Sequence, residues 1–362
     1  MLKLMASRPM ALISKLRLKE RSGISLTIDG MSLPIFLCTD NNYAIPAYIT
    51  MYSLLVNYTG TEKLRLYLLA SNDFESRYIR LFKSLKGNYE LQIINMQNSF
   101  DEVVINKSWI TTATMYRLLI PKIARGLNIE KCIYLDSDIV VEGDISELFN
   151  IEIERFCIGA VKERLISCDR DSELRGLLGV SNLRNYINAG VLLFNLIEIE
   201  KLGLSEKLEE AGHRTEYPHN DQDAINAVFY NRIYLLPIRF NAMNYYLYDR
   251  KKDTENEYGS EAIQQARKDP IIIHYIGECK PWASRGTILA ERWWKYVRMQ
   301  EKNIRTEYFK PFAKASKLAP KKRLKEMIMA TTMKMDIYKP VRKFYHTIKR
   351  IVGYPAAEPW DF

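Results

Sequence analysis

The chain has 362 residues, 47% of them hydrophobic and 27% charged, so it can bury a sizeable core and wholesale disorder is excluded. Its net charge of +10 is concentrated in residues 310–350, where thirteen Lys and Arg stand against two acidic residues and give +11. The rest of the chain therefore carries −1, which argues against a nucleic-acid-binding protein.

The cysteines and the N-terminal residues bear on the compartment of the protein. The cysteines are odd in number and scattered, which indicates free core thiols in a reducing compartment and no disulfide framework or zinc site. They are Cys38, Cys132, Cys157, Cys168 and Cys279. Residues 1–18 lack the continuous apolar segment of a secretory signal peptide, and no stretch approaches the ~18 uncharged apolar residues that span a bilayer. We therefore expect a cytoplasmic protein.

Short apolar runs alternate with amphipathic stretches over the first two hundred residues, which is typical of a parallel sheet covered by helices. Strands or buried runs are predicted, in chain order, at residues 34–39, 64–70, 91–95, 132–135, 156–161, 190–194, 233–236 and 271–274. Helices are predicted at residues 44–57, 74–86, 114–123, 199–213 and 221–229. The polar segment 162–186 lies between two predicted core strands, and we expect a loop that closes over a site.

The sharpest local signal is the pair of aspartates, Asp136 and Asp138, that directly follows the predicted strand 132–135. In extended chain, side chains at i and i+2 share one face, so both carboxylates can bind one divalent cation. Ligands of open α/β sheets bind at the carboxyl ends of strands, where this pair lies. The alternative is a solvated turn, because Asp-x-Asp also occurs at residues 169–171 and 221–223; only the first pair follows a buried strand.

A second polar motif ends the first predicted strand, with Asp40, Asn42 and Tyr43 just before a helix. Helix capping is one interpretation. In the other, Tyr43 stacks on a nucleobase while Asp40 and Asn42 hydrogen-bond a base or ribose. The sequence contains no Gly-rich phosphate loop, which disfavours a Rossmann dinucleotide site and a P-loop.

Three further motifs follow in the second half of the predicted domain. They are Asn188-Ala-Gly190, Asn220-Asp-Gln-Asp223 and the run from His274 through Gly277 and Lys280 to Trp282. The second motif is readily explained as a helix cap with acidic residues in the first turn. In the third, a Gly that permits close backbone approach and a Lys suited to phosphate follow the His, which favours a metal ligand over a structural histidine.

Taken in order, these motifs resemble those of glycosyltransferase family 8, a family of retaining transferases, and the likeness is greatest to bacterial enzymes that extend lipopolysaccharide cores. The matching stretches are Thr-Asp-Asn-Asn-Tyr-Ala, Thr-Met-Tyr-Arg-Leu around Arg117, Tyr-Leu-Asp-Ser-Asp, Asn-Ala-Gly-Val-Leu-Leu, Asn-Asp-Gln-Asp and His-Tyr-Ile-Gly-x-x-Lys-Pro-Trp. They extend over residues 36–282, and together they are far more specific than any one alone.

The resemblance implies a nucleotide-diphospho-sugar transferase (GT-A) fold, with a mainly parallel mixed sheet, a bound Mn²⁺ or Mg²⁺ and a UDP-sugar donor. The metal ligands would be Asp136, Asp138 and His274. The nucleotide and its diphosphate would be held by Thr39, Asp40, Asn42, Tyr43, Asp136, Ser137, Gly277 and Lys280. The catalytic residues around the donor sugar would be Arg117, Asn188, Asp221 and Gln222. One position departs: where many relatives carry an acceptor-side Asp, this chain has Lys162 and Glu163, and Glu163 would substitute with a longer reach.

The resemblance implies transfer of galactose or glucose with retention, to the lipopolysaccharide core or another cell-surface glycan. Because Gln222 is a neutral amide and a poor nucleophile, we favour attack on the face from which UDP departs, with a UDP oxygen accepting the acceptor's proton. The alternatives are a UDP-sugar-binding scaffold without turnover and a sugar nucleotidyltransferase, although the latter would need a Gly-rich triphosphate loop. A nucleic-acid-binding role for the basic segment would need a recognisable module, which the sequence lacks.

The resemblance and the charge distribution together predict three segments. These are an N-terminal extension at 1–32, the catalytic domain at 33–300 and a basic amphipathic C-terminal region at 301–362. In the last segment an apolar stripe recurs at helical spacing between basic residues: Val341, Phe344, Tyr345, Ile348 and Val352. That composition is typical of a helix lying on anionic lipid, although a helix packed on the body would show it too. We expect the enzyme to be peripheral on the inner face of the cytoplasmic membrane.

Overall fold

The structure is a computed structural model, and it describes residues 32–97, 99–100, 103, 111–248 and 257–315. The strands are β1 (Leu33–Thr39), β2 (Leu64–Ala70), β3 (Tyr89–Asn95), β4 (Lys131–Leu135), β5 (Ile139–Val141), β6 (Ile158–Ala160), β7 (Val191–Asn195), β8 (Ile233–Leu235), β9 (Ala242–Met243) and β10 (Ile272–His274). All eight predicted strands are present, and β5 and β9 are additional short strands.

Seven of these strands form one mixed sheet in the order β3-β2-β1-β4-β7-β6-β8. All neighbouring pairs are parallel except those that β7 makes with β4 and β6, which are antiparallel. The remaining three form a small sheet in the order β5-β10-β9. The predicted α/β fold with a mainly parallel mixed sheet is therefore confirmed.

Helices cover the larger sheet on both sides. They are α1 (Ala44–Asn57), α2 (Ser76–Lys83), α3 (Ile120–Gly126), α4 (Ser146–Phe149), α5 (Arg164–Ser167), α6 (Ser172–Leu178), α7 (Leu196–Lys201), α8 (Leu204–Gly212), α9 (Asp221–Val228), α10 (Asn244–Tyr248), α11 (Ser260–Lys268) and α12 (Ala290–Met299). A 3₁₀ helix, Thr112–Leu119, runs directly into α3.

Burial on both faces explains why strand β1 is apolar at every position before Thr39. All seven of its residues are buried, and their side chains alternate between the two faces of the sheet. Ile35 and Leu37 join the core under α1, whereas Phe36 and Cys38 join the core on the opposite face. A strand with a core on both sides has no polar face, as expected for a central strand of a parallel sheet.

Two predictions from the sequence were wrong in detail. Segment 162–186 is not a plain loop, because it contains α5 and α6, both capped by carboxylates. The predicted helix 199–213 is instead two helices, α7 and α8, separated at Gly203, whose φ of +60° interrupts the helical path. The core-thiol prediction is confirmed for the three buried cysteines Cys38, Cys132 and Cys157, but Cys279 is exposed.

The described part of the basic C-terminal region packs on the body of the protein. A helical segment at residues 302–315 places Phe309, which is 2% exposed, against Tyr48 and Trp293. The hydroxyl of Tyr308 also donates to the carbonyl of Arg77 in α2. The apolar stripe at 341–352, like the N-terminal residues 1–31, lies outside the described residues. Among the described helices, none combines the length and apolar character needed to cross a bilayer.

Candidate active site

A cleft opens at the carboxyl ends of β1 and β4, which are parallel neighbours. Here the strand order reverses, with β2 and β3 on one side and β4 and β7 on the other, and open α/β sheets bind their ligands at such a point. All the predicted site residues line it except Asp40 and Asn42: Thr39, Tyr43, Arg117, Asp136, Ser137, Asp138, Asn188, Asp221, Gln222, His274, Gly277 and Lys280.

Two carboxylates and an imidazole converge in this cleft. Asp136 and Asp138 form the turn between β4 and β5, and His274 ends β10. Because β10 pairs with β5 in a register that sets His274 opposite Ile139, the imidazole lies beside the turn. Its Nε2 is 3.1 Å from Oδ1 of Asp138 and 3.7 Å from Oδ2 of Asp136. One ligand atom from each residue lies within 4.8 Å of the others, a spacing that fits one metal ion.

The backbone of this turn is held by side chains from distant elements. The Ser137 hydroxyl donates to the carbonyl of Cys38 at 2.6 Å, which ties the end of β4 to the end of β1. Thr50 of α1 places its hydroxyl 3.1 Å from the Ser137 carbonyl and 2.8 Å from the Ile139 carbonyl, on either side of Asp138. No pattern along the chain singled out Thr50, because its partners lie 87 and 89 residues away.

Asp138 is a largely buried acid that is paired with Lys280. Burial alone would raise its pKa, but the positive charge of Lys280 outweighs burial and holds the pKa well below its usual range. Nζ of Lys280 donates to Oδ2 at 2.5 Å and also to the carbonyl of Tyr275 at 2.6 Å. The other oxygen, Oδ1, is buried and has no hydrogen-bond donor within the described part of the chain.

Arg117 joins two carboxylates at the floor of the cleft. Its Nη2 lies 2.9 Å from Oδ1 of Asp136, and its Nε lies 3.0 Å from Oδ2 of Asp221. The side chains of Arg117 and Asp221 are each 5% exposed, and that of Asp136 is 19% exposed. Burial raises the pKa of Asp221 to about 6, although the charge of Arg117 opposes this rise. Nη1 of Arg117 donates to the carbonyl of Ala189 at 2.7 Å, so the guanidinium is fixed from several directions.

Gln222 is held by the Asn188-Ala-Gly190 motif, which directly precedes β7. Its Oε1 accepts from the backbone N–H of Ala189 at 3.1 Å and from Nδ2 of Asn188 at 3.3 Å. Its Nε2 donates to the hydroxyl of Tyr186, which in turn donates to Asp223 at 2.5 Å. Gln222 is therefore a fixed neutral amide in the wall of the cleft.

Gly190 allows His274 and Asp136 to come together. A Cβ at this position would lie 2.2 Å from Cε1 of His274 and 2.8 Å from Oδ2 of Asp136. The carbonyl of Gly190 also accepts from the backbone N–H of Asp136 at 2.8 Å. Only glycine fits here, because any side chain would displace at least one ligand.

Of the polar residues that follow β1, Asp40 stabilises the local turn, whereas Tyr43 lines the cleft. Oδ1 of Asp40 accepts from the backbone N–H of Tyr43 at 2.9 Å and so closes the turn before α1, but no side chain caps the helix itself, and Asn42 is exposed. The ring of Tyr43 does line the cleft, edge-on to Trp282 with 5.8 Å between the ring centroids. On the opposite wall, Gly277 has a φ of +72°, a conformation that brings the backbone close to a ligand without strain.

Glu163 does not line the cleft of the described structure. Its Oε2 accepts from the backbone N–H groups of Leu165 and Ile166 and so caps α5, while Oε1 accepts from the hydroxyl of Tyr246. Both oxygens are therefore occupied by contacts within the protein, and the carboxylate does not take the acceptor-side position that the resemblance suggested.

Comparison with known proteins places this geometry in a family. The chain is 28% identical over 257 residues to General stress protein A of Bacillus subtilis, covering 69% of this chain and 87% of that protein. It is 28% identical over 250 residues to a lipopolysaccharide 1,2-glucosyltransferase of Escherichia coli, covering 67% and 71%. It is 26% identical over 256 residues to the lipopolysaccharide 1,3-galactosyltransferase of Salmonella typhimurium, covering 68% and 72%.

Solved structures share the fold at lower identity. The galactosyltransferase LgtC, solved with donor and acceptor sugar analogues, superposes with a TM-score of 0.61 at 21% identity over 76% of this chain and 99% of that one. The bifunctional glycosyltransferase WbbM gives a TM-score of 0.66 at 22% identity over 81% of this chain, which spans about half (53%) of that longer protein. These likenesses confirm the GT-A fold. The model of glycosyl transferase family 8 matches residues 34–286, well over half of the sequence, and the chain therefore belongs to that family.

Proposed function

We propose that this glycosyltransferase is a retaining, metal-dependent hexosyltransferase. It would move galactose or glucose from a UDP-sugar to a saccharide acceptor, either the lipopolysaccharide core or another cell-surface glycan. The observation that carries the proposal is the convergence of Asp136, Asp138 and His274 in the cleft at the end of β4. The names of the lipopolysaccharide glucosyl- and galactosyltransferases among its relatives support the choice of sugar and acceptor.

The residues of the cluster fit a hard divalent cation. Two carboxylates and one imidazole suit Mn²⁺ or Mg²⁺, and the buried Oδ1 of Asp138 has no donor among the described residues. When bound, such an ion would neutralise charge on the diphosphate of the donor. The low pKa of Asp138 keeps its carboxylate ionised and ready to bind the cation at any physiological pH.

Lys280 and Gly277 would meet the leaving diphosphate. An ammonium has three protons, and Lys280 directs two of them to Asp138 and the carbonyl of Tyr275, which leaves one for a phosphate oxygen. The left-handed backbone at Gly277 lets a phosphate approach the main chain. Fixed positive charge at the point where negative charge develops usually makes the largest contribution to stabilising the transition state.

The donor sugar would lie among Arg117, Asn188, Asp221 and Gln222. Retention requires a covalent intermediate or attack from the face that UDP leaves, and the surroundings of Gln222 support the second route. Its amide is neutral and anchored, and the adjacent Asp223 is fully buried with its oxygens accepting from Tyr186 and from the backbone of His219. Gln222 would then give electrostatic support while a UDP oxygen accepts the proton of the acceptor.

Uridine would be held at the end of β1. Tyr43 lines the cleft and presents a ring for stacking on a base, and Thr39 lines it beside the strand end. Asp40 and Asn42 lie in the same turn, and a contact from either to the base or ribose is part of the proposal. Calorimetric titration in Mn²⁺ tests it: UDP should bind far better than GDP or ADP, and equal affinities would contradict a uridine site.

The reaction is tested with the purified full-length protein, Mn²⁺ and a panel of UDP-hexoses, with and without a lipopolysaccharide core acceptor. We expect UDP release with UDP-galactose or UDP-glucose, an α-linked product by NMR, and loss of turnover in excess EDTA. Full activity in EDTA would contradict metal dependence. Tight UDP-hexose binding without transfer would favour the scaffold. Pyrophosphate release from UTP and a hexose 1-phosphate would favour a nucleotidyltransferase.

The basic C-terminal region would hold the enzyme at anionic lipid. Residues 310–350 carry +11 against −1 elsewhere, and each basic residue near an anionic surface contributes about 1 kcal/mol. Cosedimentation with anionic vesicles should weaken as salt rises, because the attraction is screened. A chain ending at Ala315, which keeps the packed Phe309, should lose most of this binding. Equal binding of both chains to anionic and neutral vesicles would contradict the proposal.

A further inference from the structure

A chain of three side-chain amides connects the metal-ligand histidine to the sugar end of the cleft. Nδ1 of His274 lies 3.0 Å from Oδ1 of Asn241, and Nδ2 of Asn241 donates to Oδ1 of Asn188 at 2.9 Å. Nδ2 of Asn188 donates in turn to Oε1 of Gln222 at 3.3 Å. Asn241 is completely buried, lies 33 residues before His274 and was not singled out from the sequence.

The direction of this chain is set by two backbone N–H groups, which can only donate. The N–H of Gly190 donates to Oδ1 of Asn188 at 3.0 Å, and the N–H of Ala189 donates to Oε1 of Gln222 at 3.1 Å. These two contacts fix which end of each amide is oxygen. Asn241 must therefore present its NH₂ group to Asn188 and its oxygen to His274.

The orientation of Asn241 determines the tautomer of His274. An amide oxygen only accepts hydrogen bonds, so Nδ1 of the imidazole carries the proton and donates it. In the neutral ring Nε2 then has a free lone pair, and it faces Oδ1 of Asp138 at 3.1 Å. Two acceptors 3.1 Å apart can bind one cation as neighbouring ligands, each at about 2.1 Å from the ion.

We propose that Asn241 is a positioning residue that holds His274 in the metal-binding tautomer and couples the metal site to the donor-sugar site through Asn188. The inference rests on the proposed function, because it assigns a metal to Asp136, Asp138 and His274 and a sugar to Asn188 and Gln222. Partners of this kind behind a metal-ligand histidine typically contribute 10–100-fold in metal affinity.

Two variants of Asn241 separate its effect on the His274 tautomer from its contact with Asn188. In Asn241→Leu, the side chain keeps nearly the same shape but loses both hydrogen bonds. Aspartate keeps an oxygen on Nδ1 of His274 and loses the donor to Asn188. Asn195→Leu is the matched control: Asn195 caps α7 and bonds the carbonyls of Ile153 and Glu154 at the opposite end of β7.

The first measurement is the tautomer of His274 without metal, from the ¹⁵N shifts of histidine-labelled full-length protein. The chain has only four histidines, so His274→Gln identifies the signal. We expect the Nδ1–H form in the wild type, Asn241→Asp and Asn195→Leu, and a shift toward the Nε2–H form in Asn241→Leu. An unchanged tautomer in Asn241→Leu would overturn the inference.

The second measurement is the affinity for Mn²⁺ alone, by electron paramagnetic resonance of the free ion. Asn241→Leu should bind about 10–100-fold more weakly than the wild type, whereas Asn241→Asp and Asn195→Leu should stay within about threefold. Asn241→Asp should instead raise the KM for the UDP-hexose. If Asn241→Leu and Asn195→Leu lose affinity equally, the effect is general and the inference is wrong. If the wild type binds no Mn²⁺, the proposed metal site fails, while the tautomer still decides the role of Asn241.

Discussion

Two stretches of this chain carry the same Asp-x-Asp spacing, and the fold uses them in opposite ways. At 136–138 the aspartates lie in a turn after β4, and both carboxylates face His274. At 221–223 they lie in the first turn of α9, where residues two apart point about 200° away from each other. Asp221 reaches Arg117 in the cleft, whereas Asp223 is fully buried against Tyr186. Spacing alone does not make a shared site; the backbone conformation decides it.

The third pair, at 169–171, has a purely local role. Asp171 caps α6 by accepting from the backbone N–H of Leu174, and Asp169 accepts from the backbone N–H of Leu183. Neither residue lines the cleft of the described structure. Only the pair after a buried strand meets a histidine from another element, which is the distinction that the sequence suggested.

The largest effect is expected for Asp138→Asn. This change removes the charge from the carboxylate whose Oδ1 has no donor among the residues that the structure describes, so turnover should fall about 10²–10³-fold while the fold persists. UDP release in Mn²⁺ measures it. Asp269→Asn, in an exposed ion pair with Arg239, is the matched control and should stay within about twofold. If Asp138→Asn and Asp269→Asn lost turnover to a similar extent, the special role of Asp138 would be contradicted.

Gly190→Ala should give the next largest effect. The added methyl would lie 2.2 Å from the His274 ring, so we expect Mn²⁺ affinity to fall about 10–100-fold as the ligands are pushed apart. Calorimetry measures this loss. Gly176→Ala is the control, because a Cβ there meets nothing within 4 Å and alanine favours the helix α6. Undiminished Mn²⁺ affinity in Gly190→Ala would show that the metal does not use this cluster.

Asp223→Ala should separate stability from metal binding. The change leaves the hydroxyl of Tyr186 and the backbone N–H of His219 without their buried acceptor, so the free energy of unfolding should fall by about 1–3 kcal/mol. Its Mn²⁺ affinity should stay within about twofold, unlike that of Asp138→Asn. Urea unfolding and Mn²⁺ titration of the two variants make the comparison, and a large loss of Mn²⁺ affinity in Asp223→Ala would contradict the purely structural role.

The smallest effect concerns pH and Asp221. Its folded pKa of about 6 lies above the unfolded value of 3.8, so the folded protein takes up a proton as the pH falls through about 6, and Arg117 loses a charged partner. We expect kcat/KM to fall there by about tenfold, equivalent to about 1.4 kcal/mol. Because folded Asp221 holds its proton to a higher pH than unfolded Asp221, its contribution to the free energy of unfolding decreases as the pH rises from 3.8 to about 6. Asp221→Asn should abolish the acid limb near pH 6, and an unchanged limb in that variant would assign it to another group.

Much of the fold could be predicted because its signals are local. A strand buried on both faces is mostly apolar, as β1 and β4 are, and helix α1 was predicted with its observed bounds. The loop expected at 162–186 was wrong because α5 and α6 are short helices of four and seven residues, too brief for a periodic pattern. Their caps, Glu163 and Asp171, are the only local signal that could have indicated them.

The α/β class, the strand that is followed by Asp136 and Asp138, and the residue types that suit a cation and a diphosphate could all be predicted from the amino-acid sequence. These follow from periodicity and from the chemistry of neighbouring residues. The fold was needed to show that Asn241 faces His274, that Thr50 holds the turn at Asp138, and that the second oxygen of Glu163 accepts from Tyr246. The first two contacts join residues 33 and 89 positions apart, and so they leave no pattern along the chain. The third depends on Tyr246, brought from 83 residues away to the oxygen that α5 leaves unused.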